Sequence, residues 1–567
     1  MNFFNQIYCK KGGNFELQLK KIQYVVRDTY EGEKFQMYYF FEIIVNKRNG
    51  KQQTFYAQIE AHKVKNPTWV SEKTNGLTTL CNTKELKNWF ENMVQNCIEQ
   101  DCVPEIIYPK CGWRKTNWGK VYVYSGGAIG AENCNIRAKE GYELMVDINA
   151  KGSREIFHRA WEMTEICKSN HASLLIYIFF HIALMTTLFE ESGYPVNFLM
   201  GVIGATGSRK TSLCTTIAKL FNRKSLTVDA EFTSTTCGIE ENLSKYGDAL
   251  VLIDDYVAGE TLQEQNEAKK KLQALVRYCG NRIPKRRMNY NIADEKKPFY
   301  PMKGCCLMTG EYITGITSTI GRIFLVNIEK MDVDNFKLSY YQNYYQILST
   351  HTYDFLEWVS QRYDSIVNYI REVLPQYRNE KIFNYPRYAE MYATFCVTLD
   401  IILEYAYEKM FISEVEKNAM LIKSKQITIS ELKENEKNLF GQDIGTVLIS
   451  SIWESINSGK LKMQLLSNCN CRDLNSGFQD EKYIYIQTKE LGRLFKDYVN
   501  KYGLNVRIDN YSSIAKYLEA KDVLDIKINA DGVKERVRKL PIQRGNHQRY
   551  LWIEKTRLER QYMNLNE

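Results

Sequence analysis

The segment 204–211, which reads GATGSRKT, constrains the fold of this chain more than any other feature. The apolar stretch 195–203 before it is predicted to be a buried strand, and 212–221 after it is predicted to be a helix. A strand, a glycine-rich turn and a helix in this order are typical of a phosphate-binding loop. In such a loop, backbone N–H groups and the positive end of the helix bind nucleotide phosphates.

The predicted ligands are ATP and Mg²⁺. Lys210 is expected to reach the β and γ phosphates, and the Thr211 hydroxyl is expected to hold Mg²⁺. The full predicted nucleotide-binding set is Gly204, Ala205, Thr206, Gly207, Ser208, Arg209, Lys210, Thr211 and Ser212. A glycine-rich turn that binds no nucleotide is the alternative interpretation.

Arg209 departs from the usual pattern, in which Gly comes directly before the Lys. Because this position begins the helix, we expect Arg209 to adopt ordinary right-handed dihedral angles with its side chain pointing outward.

Composition sets broad limits. A chain of 567 residues can form several domains, and a net charge of +9 permits a nucleic-acid partner without requiring one. The 15 Cys are scattered without paired CxxC spacings, and only six His are present. This pattern indicates reduced thiols in a cytoplasmic protein, not a disulfide framework or a zinc site. The N-terminus lacks the features of a secretory signal.

One apolar segment, 172–188, has to be weighed as a membrane span. It contains His181 and lies directly before the strand of the phosphate loop, so a span would place that strand at the bilayer surface. We therefore predict a buried helix and no membrane association.

A second chemical element is expected where the apolar segment 249–253 ends in Asp254 and Asp255. Asp254 is the candidate Mg²⁺ ligand, and Asp255 is the candidate group that orients or deprotonates the attacking water. Many ATPases have Glu at the second position. Since Asp is one methylene shorter, its reach to the water is open to question.

Two further residues complete the predicted catalytic set. Thr309 follows the apolar strand 304–308 and is the candidate sensor beside the γ-phosphate. Arg322 comes just before the next strand, where a guanidinium can neutralise phosphoryl charge in a neighbouring subunit. The alternative for Arg322 is a surface residue at a strand start.

Two basic regions are candidate DNA contacts. The insert 281–291 carries Arg282, Lys285, Arg286 and Arg287, and would grip phosphates if it projects into a central channel. As an isolated charge run it would be a solvated surface.

The tail has the helix, helix and strand-turn-strand order of a winged helix, from 491 to 553. Its candidate phosphate contacts are Lys534, Arg536, Arg538, Lys539, Arg544 and Arg549. A small domain that packs on the rest of the chain and touches no DNA is the alternative.

The predicted fold class is α/β with four segments. They are an N-terminal β-rich α+β domain at 1–150, either DNA-binding or ring-forming; an ATPase core with a parallel sheet at 151–330; a helical lid at 331–445; and the winged-helix-like domain at 446–567.

Several motifs together give a family resemblance over about residues 105–430. They are Cys111-Gly112-Trp113, the helix before the loop, GATGSRKTS, FTSTTCGIEENLSKYGDALVLIDD, the basic insert, MTGE and IGR. With them the chain resembles the helicase-like AAA+ ATPases of bacterial mobile elements, including the MCM-like replicative helicases of staphylococcal cassette chromosomes. MCM proteins also lack Gly before the loop Lys.

The resemblance implies a hexameric ring that translocates on single- or double-stranded DNA by hydrolysing ATP, together with other replication proteins of the same element. Arg322 matches the arginine-finger place, and Arg387 resembles the arginine of the helical lid. Asp255 departs from the family's Asp-Glu pair. A replicative DNA helicase is therefore the leading interpretation. The alternatives are a DNA-dependent ATPase that loads or regulates partners without unwinding, and a DNA-binding scaffold with a degenerate nucleotide pocket.

Overall fold

A computed structural model gives the architecture of the chain. It describes residues 6–7, 15–29, 32–47, 49–66, 68–78, 88, 90–93, 95, 104–131, 134–140, 142–168, 171–218, 228–257, 261–282, 302–313, 317–441, 443–468, 477–502, 506, 508, 510–530, 532–540 and 548–563. The chain divides into two compact units, Met1–Ile313 with Arg322–Glu431, and Thr314–Gly321 with Leu432–Glu567. The predicted division into four segments stays a prediction.

Strands and helices alternate in the middle of the chain and segregate at its ends. The strands are β1 Gln6–Ile7, β2 Phe15–Thr29, β3 Gly32–Asn46, β4 Gln52–Glu60, β5 Glu105–Lys110, β6 Gly112–Thr116, β7 Gly119–Tyr124, β8 Gly127–Ile129, β9 Ile136–Glu140, β10 Leu199–Ile203, β11 Ala230–Glu231, β12 Gly247–Tyr256, β13 Lys303–Gly310, β14 Ile323–Asn327, β15 Met463–Leu465, β16 Gly477–Gln479, β17 Tyr483–Ile486, β18 Lys527–Ile528, β19 Lys534–Glu535 and β20 Leu551–Glu554.

The α-helices follow the same chain order. They are α1 Thr68–Lys73, α2 Arg154–Glu162, α3 Ala172–Leu184, α4 Thr186–Glu191, α5 Lys210–Ile217, α6 Thr236–Lys245, α7 Leu262–Asn281, α8 Thr317–Ile320, α9 Asn335–Asn343, α10 Tyr345–Gln361, α11 Tyr363–Arg378, α12 Pro386–Glu408, α13 Glu414–Gly441, α14 Ile444–Asn457, α15 Thr488–Lys501, α16 Ile514–Ala520 and α17 Lys555–Met563.

The centre of the first unit is a five-stranded sheet in the order β11-β12-β13-β10-β14, and every pairing in it is parallel. Its strands are short apolar runs that are buried on both faces, as parallel sheets require. The predicted α/β core with a parallel sheet and many helices is confirmed.

The N-terminal part of the first unit is β-rich, as predicted. One sheet has the order β4-β3-β2-β5-β9, and β3 and β4 form the antiparallel hairpin around the turn that contains Gly50. A separate three-stranded sheet is made of β6, β7 and β8.

The segment 111–113 attaches this small sheet to the start of β12. The buried carboxylate of Asp248 accepts hydrogen bonds from the backbone N–H of Trp113 at 3.0 Å and of Thr187 at 2.6 Å. Burial raises the pKa of Asp248, while these hydrogen bonds act in the opposite direction. A Cβ at Gly112 would lie 2.7 Å from Asp248 Oδ2, so the contact requires glycine. The CysGlyTrp motif is thus a packing joint against β12.

The apolar segment before the phosphate loop forms α3, and all of its 13 residues are buried. Inside this core, the Tyr177 hydroxyl lies 3.0 Å from His351 Nε2, and His181 Nδ1 lies 2.9 Å from the Tyr177 carbonyl oxygen. The predicted buried helix is therefore observed. None of the described helices combines the length and apolar character needed to cross a bilayer.

The second unit has its own hydrophobic core. The helices α14, α15 and α16 pack against β17 and β20 through apolar side chains that are almost completely buried, among them Leu448, Ile452, Leu491, Leu518, Leu551 and Ile553. The four-stranded sheet has the order β15-β16-β17-β20, and β18 and β19 form a separate antiparallel pair.

Candidate functional site

The glycine-rich loop leaves the carboxyl end of β10 and enters α5. Two glycines are required for different reasons. A Cβ at Gly204 would lie 2.1 Å from the carbonyl oxygen of Ile328, whereas Gly207 has open space but a φ of +84°. The loop is therefore held close to the end of β14 on one side and turns back toward α5 on the other.

Arg209 does not adopt the right-handed dihedral angles that the sequence led us to expect. It is the N-cap of α5 with φ 63° and ψ 26°, in the left-handed region. The loop must reverse its direction here before the helix can begin, which explains why Gly is usual at this position. Its side chain is exposed, as predicted.

The loop carries several hydrogen-bond donors that suit a phosphate group. Lys210 Nζ donates to the loop's own carbonyl oxygens, to Gly204 at 2.7 Å and to Ala205 at 3.2 Å. The buried hydroxyl of Ser208 has no hydrogen-bond partner among the described residues. An ammonium that has only loop carbonyls as partners and an unpartnered buried hydroxyl both fit an anionic ligand. Thr211 and Ser212 lie in the first turn of α5.

Three elements meet at Asp254. Its Oδ1 atom accepts a hydrogen bond from the Thr211 hydroxyl at 2.8 Å and another from the Thr309 hydroxyl. Thr211 lies in the first turn of α5, Asp254 lies near the end of β12, and Thr309 lies near the end of β13. The sequence-predicted metal ligands Thr211 and Asp254 are therefore in direct contact.

This pair is a suitable site for Mg²⁺. The described residues contain no group of three or more His, Cys, Asp or Glu side chains that could bind a metal by themselves. Mg²⁺ is usually held by one or two protein oxygens together with waters and substrate phosphates, so the residues present fit that metal.

Asp255 is placed differently from Asp254. It has a φ of 60° and is exposed, and its backbone N–H donates to the Thr309 hydroxyl at 3.2 Å. Asp is one of the few residues that tolerates the left-handed region. The bend separates the two neighbouring carboxylates. That of Asp254 accepts from Thr211 and Thr309, whereas Asp255 joins the network through its backbone N–H.

Thr309 is the buried centre of this network. It is 1% exposed and pairs in register with Val202 of β10. Its hydroxyl donates to Asp254 and accepts from the Asp255 backbone, so it fixes the relative position of both.

Sequence reasoning missed Glu311, two residues after Thr309. Glu311 Oε1 accepts a hydrogen bond from the Thr206 hydroxyl of the loop. The only signal in the sequence was an acidic residue after the sensor strand, in the segment MTGE.

Arg322 and Arg387 lie together, although they are distant in sequence. Both line a cavity of about 240 Å³, whose other lining residues are Asn197, Gly280, Glu390 and Met391. Burial lowers the pKa of Arg322, and the positive charges of Arg387 and Arg277 lower it further. Among the described residues, the Arg322 guanidinium makes no hydrogen bond or ion pair, and the Glu390 carboxylate in the lining accepts a hydrogen bond from Asn197 at 3.1 Å. With two guanidinium groups and one carboxylate, the cavity can receive an anionic group.

The arginine cavity lies at the amino ends of the parallel strands, whereas the loop lies at their carboxyl ends. Ile323, directly after Arg322, is in register with Leu199 at the amino end of β10, and the loop begins after Ile203 at the carboxyl end. Five strand residues at about 3.3 Å each separate the two edges by about 17 Å. Arg322 therefore cannot contact a phosphate held by the loop of its own chain.

The predicted DNA contacts have structural roles where they are described. Arg282 caps α7 with φ 55° and donates to the carbonyl oxygens of Val196 at 2.8 Å and Gly304 at 3.3 Å. Lys285, Arg286 and Arg287 lie outside the described residues.

Three of the basic residues predicted in the tail, Lys534, Arg536 and Arg538, are each paired with a carboxylate, and Arg544 lies outside the described residues. Lys534 Nζ lies 2.8 Å from a Glu519 oxygen, and Arg536 pairs with the same carboxylate. Arg538 lies 2.6 Å from Asp525, and its guanidinium stacks 4.0 Å above the Trp552 ring. A phosphate would have to replace these carboxylates.

Comparison with known proteins places the chain among helicase-like folds. A family model described as a domain of unknown function, DUF927, matches residues 36–270. No curated protein matches the chain. A solved structure described as the SCCmec type IV Cch active helicase is similar over 98% of both chains, with a TM-score of 0.54 and 12% sequence identity. At this identity the similarity establishes the fold alone.

Proposed function

We propose that this chain is an ATP-driven replicative DNA helicase of a mobile genetic element. The observation that carries the proposal is the meeting of Thr211 and Thr309 on one oxygen of Asp254, directly beside a glycine-rich phosphate loop. This arrangement provides what phosphoryl transfer needs, which is a cradle for phosphates, oxygen ligands for Mg²⁺ and polar groups at the reacting end.

Sheet topology supports a ligand at this edge. The connection after β10 leads toward β11 on one side, and the connection after β13 leads to β14 on the other. Ligands of open parallel sheets bind outside the carboxyl ends of the strands. The phosphate loop and Asp254 lie at that place.

The residues take the following roles in the proposed reaction. The loop amides, Lys210 and Ser208 bind the phosphates, and Thr211 with Asp254 holds Mg²⁺, which neutralises phosphate charge when bound. Thr309 keeps Asp254 in position. Asp255 orients or deprotonates the water, and its exposed side chain must turn inward to do so.

The arginine cavity supports an oligomer. Because Arg322 and Arg387 lie at the far edge of the sheet, they would act on a nucleotide held by a neighbouring copy, as head-to-tail subunits of a ring allow. We propose a hexamer, in which Arg322 is the arginine finger and Arg387 is a second sensor in the same interface.

DNA is the proposed partner. The net charge of +9, the basic residues of the segment 281–291 and the helix-helix-strand order of the second unit all suit phosphate binding. We propose that the second unit is a winged-helix domain.

The test combines nucleotide turnover with strand separation. We expect ATP hydrolysis by the full chain to be stimulated by DNA and a forked duplex to be unwound. Lys210→Ala should abolish both, because the phosphates lose their ammonium. Hydrolysis that is insensitive to every DNA tested would reject the helicase, and DNA-stimulated hydrolysis without unwinding would favour a loader or regulator.

A DNA-binding scaffold with a degenerate pocket is the second candidate. It is favoured by the left-handed backbone of Arg209 and the outward position of Asp255. Tight nucleotide binding without turnover would support it. Turnover that is lost in Asp254→Ala would exclude it.

A further inference from the structure

Glu311 is an acidic residue at the rim of the proposed nucleotide site that has no role in the mechanism above. It follows β13, is exposed, and accepts a hydrogen bond from the Thr206 hydroxyl. The preceding residue, Gly310, accepts a hydrogen bond from the Gly204 backbone N–H at 3.2 Å. The end of β13 is therefore tied to the phosphate loop at two points, one in the backbone and one between side chains.

The charge of Glu311 is not compensated by a neighbouring cation. In the part of the chain that the structure describes, its carboxylate forms no ion pair, and the ammonium of Lys210 in the loop donates to the carbonyl oxygens of Gly204 and Ala205. The negatively charged Glu311 side chain is therefore hydrogen-bonded to the same loop whose other donors suit phosphate. Like charges close together repel, and salt screens this repulsion where the charges are exposed.

We propose that Glu311 is a positioning residue that sets nucleotide affinity. Through Thr206 it holds the loop closed on β13 in the absence of nucleotide, and its charge opposes the entry of phosphates. Because a nucleoside triphosphate carries one more negative charge than the diphosphate, Glu311 weakens ATP binding more than ADP binding. This inference rests on the proposed nucleotide site.

The experiment compares the dissociation constants of Mg²⁺–ATP and Mg²⁺–ADP for the full chain at low salt by calorimetry. Glu311→Gln keeps an acceptor for Thr206 and removes the charge. We expect it to bind ATP about tenfold more tightly, equivalent to about 1.4 kcal/mol, and to gain less for ADP. The gain should shrink at high salt, since screening weakens charge repulsion.

Two further variants separate charge from hydrogen bonding. Thr206→Ala removes the tie but leaves the carboxylate, so it should tighten ATP binding less than Glu311→Gln does. Glu372→Gln removes an exposed carboxylate from α11 and should leave both constants unchanged. In Glu311→Gln the kcat should stay within about twofold of the original value, because the residue positions the loop and does not take part in the chemistry.

Two results would overturn the role of Glu311 alone. One is a Glu311→Gln variant whose constants match those of the unaltered chain. The other is loss of turnover with unchanged affinity, which would make Glu311 a general base. If the unaltered chain binds neither nucleotide, the proposed function fails and this inference fails with it.

Discussion

Backbone conformation at single residues shapes the candidate site. Gly207, Arg209 and Asp255 all have positive φ, at 84°, 63° and 60°. Only the first is glycine, so the other two pay a conformational cost of about 1–2 kcal/mol each. Such strain is found where the surrounding structure needs a particular turn, here on either side of the proposed phosphate position.

Arg209→Gly should stabilise the protein. Glycine removes the left-handed strain, and the greater freedom of the unfolded chain cancels part of the gain, so we expect the free energy of unfolding to rise by about 0.5–1 kcal/mol. Urea denaturation measures it. Arg209→Ala is the control, because alanine keeps the strain while it removes the guanidinium. Equal stability of the two variants would show that the backbone is not the cause.

Gly112→Ala should destabilise the protein more than Gly119→Ala. Both glycines have positive φ, at +119° and +103°, and both begin strands of the same hairpin. A Cβ at Gly112 would collide with Asp248, whereas nothing lies within 4 Å of a Cβ at Gly119. We expect a loss of about 3 kcal/mol or more for the first and about 1–2 kcal/mol for the second, measured by denaturant unfolding. Similar losses would argue against the packing joint.

The sequence predicted the residues of the site better than their conformations. The proximity of Thr211, Asp254 and Thr309 could be predicted, because the carboxyl ends of parallel strands lie on the same side of a sheet. The left-handed dihedral angles of Arg209 and Asp255 could not be predicted, because they depend on how the chain turns near the end of a strand. The carboxylate partners of Lys534, Arg536 and Arg538 depend on tertiary contacts that a charge count does not contain.

Among the elements, α3 and α10 bury two histidines against each other, His181 of α3 and His351 of α10, and both are completely buried. Burial lowers the pKa of His181 to about 4, and it holds the pKa of His351 well below its usual range. Both side chains are therefore neutral in the folded protein. Aromatic rings surround them, with the Phe355 ring centred 5.0 Å from the His181 ring, and burial among such rings disfavours the charged imidazole.

This core should make the protein sensitive to mild acid. The unfolded chain binds protons on both histidines below about pH 6.5. In the folded chain the pKa of His181 is about 4 and that of His351 is well below its usual range, so stability falls as the pH decreases from about 6.5 toward 4. His181 alone accounts for about 3 kcal/mol. Denaturant unfolding between pH 7 and pH 4 measures the slope.

The control for the acid effect is a chain without the titrating group. His181→Phe should have a shallower pH dependence over the same interval, while His351 keeps part of it. An unchanged slope would assign the acid sensitivity to other groups.

The sequence predicted the helices after residue 331, but it did not predict that Arg322 and Arg387 line the same cavity. The sequence places Arg322 at a strand start and Arg387 in the first turn of α12. Their proximity arises from how α12 packs near the amino edge of the sheet, beside Gly280 of α7. No local periodicity encodes such a long-range contact.

At the scale of the whole molecule, the loop and the arginine cavity lie at opposite ends of the strands of one parallel sheet. Mixing two inactive variants tests whether neighbours complete each other. Lys210→Ala keeps Arg322, and Arg322→Ala keeps the loop, so a mixed ring contains some interfaces with both groups. For random head-to-tail assembly in equal amounts we expect about a quarter of the original turnover.

Each variant alone is the control for the mixing experiment, and each should be inactive. No recovery in the mixture, with assembly confirmed by sedimentation, would contradict an interfacial role for Arg322. The nucleotide-binding role of Lys210 would be unaffected by that result.

The distance between the phosphate loop and the arginine cavity also makes activity depend on protein concentration. A solitary copy could bind ATP at one end of its sheet, yet the guanidinium that completes the proposed reaction would have no nucleotide beside it at the other end. Hydrolysis per molecule should then fall steeply on dilution, even though each polypeptide stays folded. Such a motor would be silent when scarce and would begin to consume ATP only after enough copies have accumulated to associate.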